Sequence, residues 1–163
     1  MLYLHENCNN YGGMSWKHTL KLVEKMDSSA FRLVFDTGNP VVNYDRSEGD
    51  ELITNQSSWR FYREVREFVS YIHIKDAVLQ EASKEGFGKA VYTWPGEGSG
   101  DVKRIIGDLI ASGYDGGISI EPHMVKVFHN ENGSGENSLA YDNYVEYGRR
   151  LMTLVNAAQP VLK

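Results

Sequence analysis

The chain has 163 residues, of which 41% are hydrophobic and 24% charged, a composition typical of one globular domain. Its net charge of -5 argues against a broad basic surface for DNA or RNA, and it has no run of about 18 apolar residues to cross a membrane. The single cysteine, Cys8, excludes an internal disulfide and a cysteine-rich zinc site. We therefore expect one domain over residues 1–163, with no nucleic acid or membrane partner and a cytoplasmic location.

The chain opens with an alternation of predicted strands and helices. Residues 1–6 alternate between apolar and polar side chains and end on Glu6, while Phe31–Asp36 is an apolar run that also ends on a carboxylate. The segment Thr37–Pro40 then breaks the strand sharply. The predicted elements of this part are a strand over 1–6, a helix over 15–26 capped by Ser15, a strand over 31–36, a polar loop over 43–55 and a helix over 59–69.

The stretch Tyr71–Asp76 is the most informative of the predicted strands. It is short and rich in apolar residues, yet it carries His73 and Lys75 on one side of the strand. Burying an imidazole and an ammonium together is costly unless a metal, an anion or a substrate binds them. Beyond it we predict a loop over 77–100, a helix over 101–111 that Asp101 caps and Gly113 ends, a strand over 117–121, a loop over 130–138 and a helix over 139–158.

The order strand then helix occurs four times, which is typical of parallel strands joined by helical crossovers. The fold class is therefore α/β, and four such units form either a small open sheet or half of a TIM barrel. We favour the (βα)4 half barrel, because functional residues of TIM barrels project from the carboxyl ends of the strands. Ionisable side chains stand at or near all four predicted strand ends: Glu6, Asp36, His73 and Glu121.

These four side chains supply three carboxylates and one imidazole, a ligand set suited to Mn²⁺, Mg²⁺, Co²⁺ or Zn²⁺. Taken singly, each carboxylate could be a helix cap or a solvated loop residue, and His73 could be a core histidine satisfied by the backbone. Taken together, ionisable groups that recur at strand ends favour a shared metal site.

Six short segments stand out along the chain, in this order: Leu4–Asn7, Val34–Pro40, His73–Asp76, Pro95–Gly98, Gly113–Gly116 and Ile118–His123. In this order they resemble motifs of the sugar phosphate isomerase/epimerase branch of the xylose isomerase-like TIM barrels. The resemblance covers nearly the whole sequence and is specific for the superfamily, but it does not specify a substrate.

The resemblance implies one divalent metal ion, Mn²⁺ before Mg²⁺, Co²⁺ or Zn²⁺, held by Glu6, Asp36, His73 and Glu121. It also implies that Glu6 and Glu121 move a proton through an enediolate of a ketose, phosphorylated or not. Full members have four further βα units before the strand that ends at Glu6, so the N-terminal half of the barrel is expected to be absent. The open edges of a half barrel predict a homodimer, which could complete a pseudo-barrel.

Three further residues are predicted to bind the carbohydrate substrate. Lys75 could neutralise an oxyanion or a phosphate, or it could be a lysine at the rim that extends to solvent. His123 could hydrogen-bond a substrate hydroxyl, although a loop histidine is more often solvated. Asn39, just after the second predicted strand, is the third candidate.

Two features near the end of the third strand are not predicted to bind substrate. The segment Gly96–Gly98 could form a phosphate-binding loop of the kind found after the last strands of TIM barrels, but Glu97 in its middle would repel a phosphate. Asp76 is out of phase with His73 along the strand, so we expect it to support or cap neighbouring structure.

Two other functions stay open on the sequence alone. Apurinic endonucleases share the superfamily and have similar Glu, Asp-Thr and His-x-x-Asp segments, so a metal-dependent phosphodiesterase is an alternative. Asn39 stands where those enzymes place a further histidine, and the acidic net charge also disfavours this reading. The third possibility is a truncated, non-catalytic binding protein. Counting bound metal ions separates the first two functions, and a ketose epimerisation assay separates the first from the third.

Overall fold

The computed structural model describes residues 1–49, 54–81, 88–124 and 134–158, and it shows a parallel β-sheet with helices packed against it. The main strands are β1 (Tyr3–Glu6), β2 (Phe31–Asp36), β5 (Val69–Ile74) and β8 (Gly117–Ile120). The helices are α1 (Trp16–Met26), α2 (Asn39–Val42), α3 (Ser58–Val65), α4 (Val102–Ala111) and α5 (Ser134–Ala158). Two antiparallel ribbons are also present, β3 (Tyr44–Asp45) with β4 (Thr54–Asn55) and β6 (Ala77–Glu81) with β7 (Lys89–Tyr92).

The main sheet has the order β1-β2-β5-β8, and all neighbouring strands run parallel. At least one helix separates each of these strands from the next in sequence, as the crossover of a parallel pair requires. The predicted α/β fold, a partial barrel of parallel strands, is confirmed. Strands β1 and β8 form the two edges, and no strand in the described ranges pairs with their outer sides.

One face of the sheet packs on the helices and forms the core. Side chains alternate along β2, so Phe31, Leu33 and Phe35 all face this core and Asp36 faces the opposite side. On β5, Ile72 and Ile74 also face this core. Burying an apolar side chain of this size stabilises the fold by about 1.5–3 kcal/mol. The other buried members are Phe61, Tyr62, Val65, Val102, Ile105, Ile106, Leu109, Tyr147 and Leu151.

The ends of two helices follow the predicted signals. Ser15 lies at the N-cap of α1, and its side chain accepts a hydrogen bond from the N–H of His18 at 3.4 Å. Asp101 lies at the N-cap of α4, but its carboxylate accepts from the N–H of Trp59 at 3.3 Å instead of capping its own helix. Gly113 has a φ of +68°, the left-handed conformation that ends α4.

Several predicted boundaries are wrong. Helix α3 ends at Val65, and a short 3-10 turn over Arg66–Phe68 leads into β5, which begins at Val69. Phe68 continues the apolar period of α3, which explains why the sequence extends the predicted helix too far. The last helix begins at Ser134, inside the predicted loop. Residues 125–133, which include the start of that loop, lie outside the described residues.

The predicted loop over 77–100 contains the β6–β7 hairpin. Ala77 pairs with Tyr92 at its base, directly after the strand that carries His73. Its strands are short, and only one side of the hairpin is buried, where Ala77 packs with Val41 and Val42 of α2. Such a half-exposed hairpin has a weak sequence pattern. No helix in the described ranges is long and apolar enough to span a membrane.

Candidate metal centre

The carboxyl ends of the parallel strands bring four ionisable side chains together. Glu6 ends β1, Asp36 ends β2, His73 is the penultimate residue of β5 and Glu121 follows β8. Asp36 and His73 are direct partners in the register of β2 and β5. One possible ligand atom of each residue lies within 4.8 Å of those of the other three. These four residues therefore form one cluster, as the strand-end pattern predicts; that they bind an ion stays a prediction.

Asp36 is the most deeply buried of the four, with an exposure of 0%. Its Oδ1 accepts hydrogen bonds from the backbone N–H of Gly38 at 2.8 Å and of Asn39 at 2.7 Å, in the turn that begins α2. Its Oδ2 lies 3.1 Å from Nζ of Lys75. Burial raises the pKa of Asp36, and the Lys75 ammonium opposes that rise. The turn thus fixes one carboxylate oxygen and leaves the other to face a cation.

His73 faces two carboxylates through one ring nitrogen. Its Nδ1 lies 3.0 Å from Oε1 of Glu121 and 3.7 Å from Oε1 of Glu6. Glu121 and then Glu6 raise the pKa of His73 to about 10. The ring of Tyr71 meets the imidazole edge-on, with ring centroids 5.7 Å apart. The imidazole is therefore protonated at neutral pH unless a metal ion competes for Nδ1.

The two glutamates are more accessible than the aspartate, with side chains 29% exposed for Glu6 and 30% for Glu121. Oε1 of Glu6 accepts a hydrogen bond from Nδ2 of Asn39 at 3.0 Å. Oε2 of Glu121 lies 2.7 Å from Nζ of Lys75 and 3.6 Å from Nε2 of His123. The neighbouring histidines, His123 foremost, and Lys75 hold the pKa of Glu121 well below its usual range. Glu121 is therefore ionised throughout the physiological range.

Two of the three predicted substrate-binding residues are buried, Lys75 at 4% exposure and Asn39 at 2%. Nζ of Lys75 donates to Oδ1 of Asn39 at 3.2 Å, in addition to its contacts with Asp36 and Glu121. Burial lowers the pKa of Lys75, but the two carboxylates outweigh burial and raise it overall. The alternative of a rim lysine that extends to solvent is wrong. Both side chains already contact carboxylates of the cluster. Substrate binding by Lys75 or Asn39 therefore stays a prediction.

His123 is the predicted substrate contact that remains accessible, with a side chain 38% exposed. Its ring lies 5.1 Å from the ring of Tyr92, centroid to centroid. Sequence reasoning missed Tyr92, because the hairpin that carries it was predicted to be a loop. His123 lies beside Glu121, with Nε2 3.6 Å from Oε2, so this pair of rings borders the cluster.

Thr37 is a second residue that sequence reasoning missed. Its hydroxyl donates to the carbonyl oxygen of Lys75 at 2.6 Å and accepts from the N–H of Lys75 at 3.1 Å. This pair of bonds ties the end of β2 to the residue just after β5. The only sequence signal is that Thr37 follows Asp36 directly.

Asp76 has the supporting role expected from its phase along the strand. Its carboxylate accepts hydrogen bonds from the backbone N–H of Gly96 at 2.8 Å, Gly98 at 3.0 Å and Gly100 at 2.8 Å. A Cβ at Gly98 would lie 2.4 Å from Oδ1 of Asp76, so glycine is needed for this close approach. These three N–H groups of the loop therefore bind an internal carboxylate. This agrees with the prediction that the loop does not bind a phosphate.

The four side chains fit a divalent cation. Oδ2 of Asp36 and Nδ1 of His73 are buried, and each has only ion-pair contacts, the shortest with Lys75 at 3.1 Å and with Glu121 at 3.0 Å, that lack the geometry of a hydrogen bond. Buried polar atoms in that state are rare in proteins. Carboxylate oxygens and an imidazole nitrogen are suitable ligands for Mn²⁺, Mg²⁺, Co²⁺ and Zn²⁺. The cluster could therefore hold a metal ion.

Comparison with known proteins places the chain in a family. Residues 3–143 match the xylose isomerase-like TIM barrel family, and the chain belongs to it. Among curated proteins it is similar to an inosose dehydratase of Lacticaseibacillus casei, with 29% identity over 110 residues. The match covers 62% of this chain and 33% of that protein, so the chain aligns with about a third of the relative's length.

Solved structures share the fold. A xylose isomerase-like TIM barrel protein from Mycobacterium smegmatis, solved in complex with magnesium, gives a TM-score of 0.61 at 16% identity, over 95% of this chain and 45% of that one. A xylose isomerase domain protein from Planctomyces limnophilus gives 0.53 at 19% identity, over 91% of this chain and 45% of that one. This chain therefore corresponds in fold to slightly less than half of each of these proteins.

Proposed function

We propose that this chain carries the catalytic centre of a metal-dependent isomerase or epimerase that acts on a ketose or a related carbohydrate. The observation that best supports this is the meeting of Glu6, Asp36, His73 and Glu121, whose ligand atoms lie within 4.8 Å of one another. They meet at the carboxyl ends of the strands, where TIM barrels hold their active sites. The chain aligns with 33% of the length of its curated relative. That it has the activity of a whole barrel is therefore itself part of this proposal.

In this proposal the four residues hold one divalent ion, Mn²⁺ or alternatively Mg²⁺, Co²⁺ or Zn²⁺. When bound, the ion supplies Lewis acidity that polarises the substrate carbonyl and stabilises developing negative charge. Asp36 and His73 hold it from the centre of the sheet, and Glu6 and Glu121 hold it from the two edge strands. The magnesium in the M. smegmatis relative supports a divalent ion without selecting among these four metals.

Glu6 and Glu121 are the proposed proton-transfer pair, because they are the two half-exposed carboxylates of the cluster. One carboxylate takes the proton from the carbon next to the carbonyl, and an enediolate is left. The other carboxylate returns a proton. Return to the same carbon from the opposite face epimerises the sugar. Return to the former carbonyl carbon isomerises it, because the hydroxyl proton of the enediolate passes to the former carbonyl oxygen and a new carbonyl forms on the carbon that lost its proton. His123, His73 and Lys75 lower the pKa of Glu121 and keep it ionised, the state in which a carboxylate can accept a proton.

In this proposal one of the predicted substrate-binding residues lies at the exposed side of the cluster and the other two are buried beneath it. His123, at the edge of the pocket, hydrogen-bonds a substrate hydroxyl. Lys75 lies beneath the carboxylates and adds positive charge close to where the enediolate oxygens develop negative charge. Asn39 links the Lys75 ammonium to Glu6 and so couples that charge to one member of the proton-transfer pair.

A dehydratase is the second candidate, because the curated relative is an inosose dehydratase. Dehydration begins with the same abstraction of a proton next to a carbonyl. It differs afterwards, because the enolate expels the hydroxyl of the adjacent carbon as water and leaves an unsaturated ketone. The same pair of glutamates would serve, one as base and the other as the acid that protonates the departing hydroxyl.

The test is proton exchange in deuterium oxide. The Mn²⁺-loaded protein is incubated with a panel of ketoses, ketose phosphates and an inosose, and each is followed by NMR and by ultraviolet absorbance. Deuterium at the carbon next to the carbonyl, with an epimer or isomer as product, supports the proposed function. Exchange followed by the absorbance of an unsaturated ketone supports the dehydratase. A metal-loaded protein that exchanges no substrate proton contradicts both candidates.

A further inference from the structure

Lys75 places a positive charge inside the carboxylate cluster. Its Nζ lies 2.7 Å from Oε2 of Glu121, 3.1 Å from Oδ2 of Asp36 and 3.2 Å from Oδ1 of Asn39. These oxygens come from three parts of the fold: the end of β2, the start of α2 and the residue after β8. Because Lys75 is only 4% exposed, water screens the charge poorly.

The neighbouring residues hold Lys75 in this position. Thr37 binds both backbone polar groups of Lys75 through one hydroxyl. A Cβ at Gly38 would lie 2.7 Å from Cγ of Lys75, so the missing side chain there leaves room for the lysine stem. Asn39 accepts from the ammonium at one end and donates to Glu6 at the other. The ammonium is therefore a fixed part of the site.

The ammonium contacts the oxygen atoms that a second metal ion would need. Oδ1 of Asp36 already accepts two backbone hydrogen bonds, so Oδ2 is the oxygen left for a cation. Oε1 of Glu121 faces His73, and Oε2 faces Lys75. Two metal ions in one site typically lie about 3.5–4 Å apart and share surrounding carboxylates. In this pocket the shared oxygens already have a cationic partner.

The charges lead to the same conclusion. Glu6, Asp36 and Glu121 contribute three negative charges, and Lys75 contributes one positive charge. With a neutral His73, one divalent ion makes this set of groups neutral. A second divalent ion would give it a net positive charge beside Asp36 and Lys75, which are buried, so water would screen the repulsion between the ions and the ammonium poorly.

We propose that the Lys75 ammonium takes the place of a second metal ion and restricts the centre to a single divalent cation. The proposal rests on the proposed function, since it assumes the metal site. It sets this site apart from multi-metal phosphodiesterases, which hold the attacking and leaving oxygens between ions. A centre with one ion and one ammonium suits a substrate that needs a single polarised carbonyl.

The test is the number of Mn²⁺ ions bound per chain, measured by calorimetry and by elemental analysis after gel filtration. Lys75→Met keeps the packing of the stem and removes the charge. Lys75→Arg keeps the charge, and Lys17→Met removes an exposed lysine of α1 that pairs with Glu48. Lys75→Gln is the second charge-removing variant, in case Lys75→Met does not fold, because its uncharged amide keeps a polar group among these oxygens.

We expect one ion in the wild type, in Lys75→Arg and in Lys17→Met, and two ions in Lys75→Met or Lys75→Gln. One ion in a folded charge-removing variant, with the wild-type affinity, overturns the proposal and leaves the proposed function intact. Two or more ions in the wild type also overturn it, while the metal dependence stands. A wild type that binds no divalent ion overturns both.

Discussion

The central strands and the edge strands of the sheet contribute different kinds of residue to the same pocket. On the central strands β2 and β5, core residues alternate with site residues, and Asp36 is fully buried. On the edge strands, Tyr3 of β1 is 65% exposed and Ile118 of β8 is 38% exposed. Glu6 and Glu121, at the ends of these edge strands, are half-exposed.

This difference suggests a division of labour within the site. The central residues are held by neighbours: Asp36 by two backbone N–H groups and Lys75 by Thr37. Their positions depend only on the described fold. The edge glutamates are partly exposed and stand at the ends of strands whose outer sides have no partner in the described chain. We therefore expect anchoring to come from the centre and proton transfer from the edges.

The largest expected effect is that of Glu6→Gln on proton transfer. The amide keeps the shape and the contact with Asn39 but can neither accept nor return a proton as a carboxylate does, so the exchange rate at saturating Mn²⁺ should fall by about 10²–10⁴-fold. Deuterium incorporation followed by NMR measures it. Glu24→Gln, on the exposed side of α1, is the matched control and should exchange at the wild-type rate. Equal rates in the two variants would remove Glu6 from the proton-transfer pair.

His73→Ala tests the anchoring half of the comparison. Removing the only nitrogen ligand of the set should weaken Mn²⁺ binding by about 100-fold or more, while circular dichroism shows an intact fold. His18→Ala, in α1 and outside the site, is the control. Calorimetry gives both affinities, and an unchanged affinity in His73→Ala would exclude His73 from the metal site.

A smaller effect is expected from pH. Without metal the pKa of His73 is raised to about 10 by Glu121 and Glu6, so the imidazole carries a proton at neutral pH. Metal binding must release that proton, so Mn²⁺ affinity should rise about tenfold per pH unit between about pH 6 and 8. Calorimetry in buffers of different ionisation enthalpy counts the protons released. A count of zero would show that the ion does not displace the proton of the His73 imidazole.

The smallest effect on the folded chain is expected at the sheet edge. We propose that a second copy of the chain covers the exposed edge strands, and analytical ultracentrifugation should show a dimer. Leu4→Lys, which puts a charge on β1 where the side chain is 37% exposed, should give monomers and change the free energy of unfolding by about 0.5 kcal/mol or less. Met152→Lys on α5 should remain dimeric. A monomeric wild type would refute the dimer.

The sequence predicts the sheet and the four strand-end residues because both depend on local patterns. Alternation along Phe31–Asp36 identifies the buried face, and the residue type at the strand end identifies the chemistry. Parallel pairing then brings the ends together without further information. The same reasoning fails for the β6–β7 hairpin, whose short strands bury only one side.

The sequence does not predict the polar network beneath the site. Lys75 meets Asn39 across 36 residues and Thr37 across 38, and neither contact has a local signature. Sequence reasoning therefore assigned Lys75 either to the substrate or to solvent. Its burial among carboxylates becomes evident only when the register of β2 against β5 is known.

The central claim is that Glu6, Asp36, His73 and Glu121 hold one ion in common. The most direct measurement is the anomalous diffraction of crystals grown with Mn²⁺. We expect one strong peak, within about 2.0–2.4 Å of a carboxylate oxygen from each acidic residue and of Nδ1 of His73. A peak elsewhere on the surface, or none in excess Mn²⁺, would contradict it.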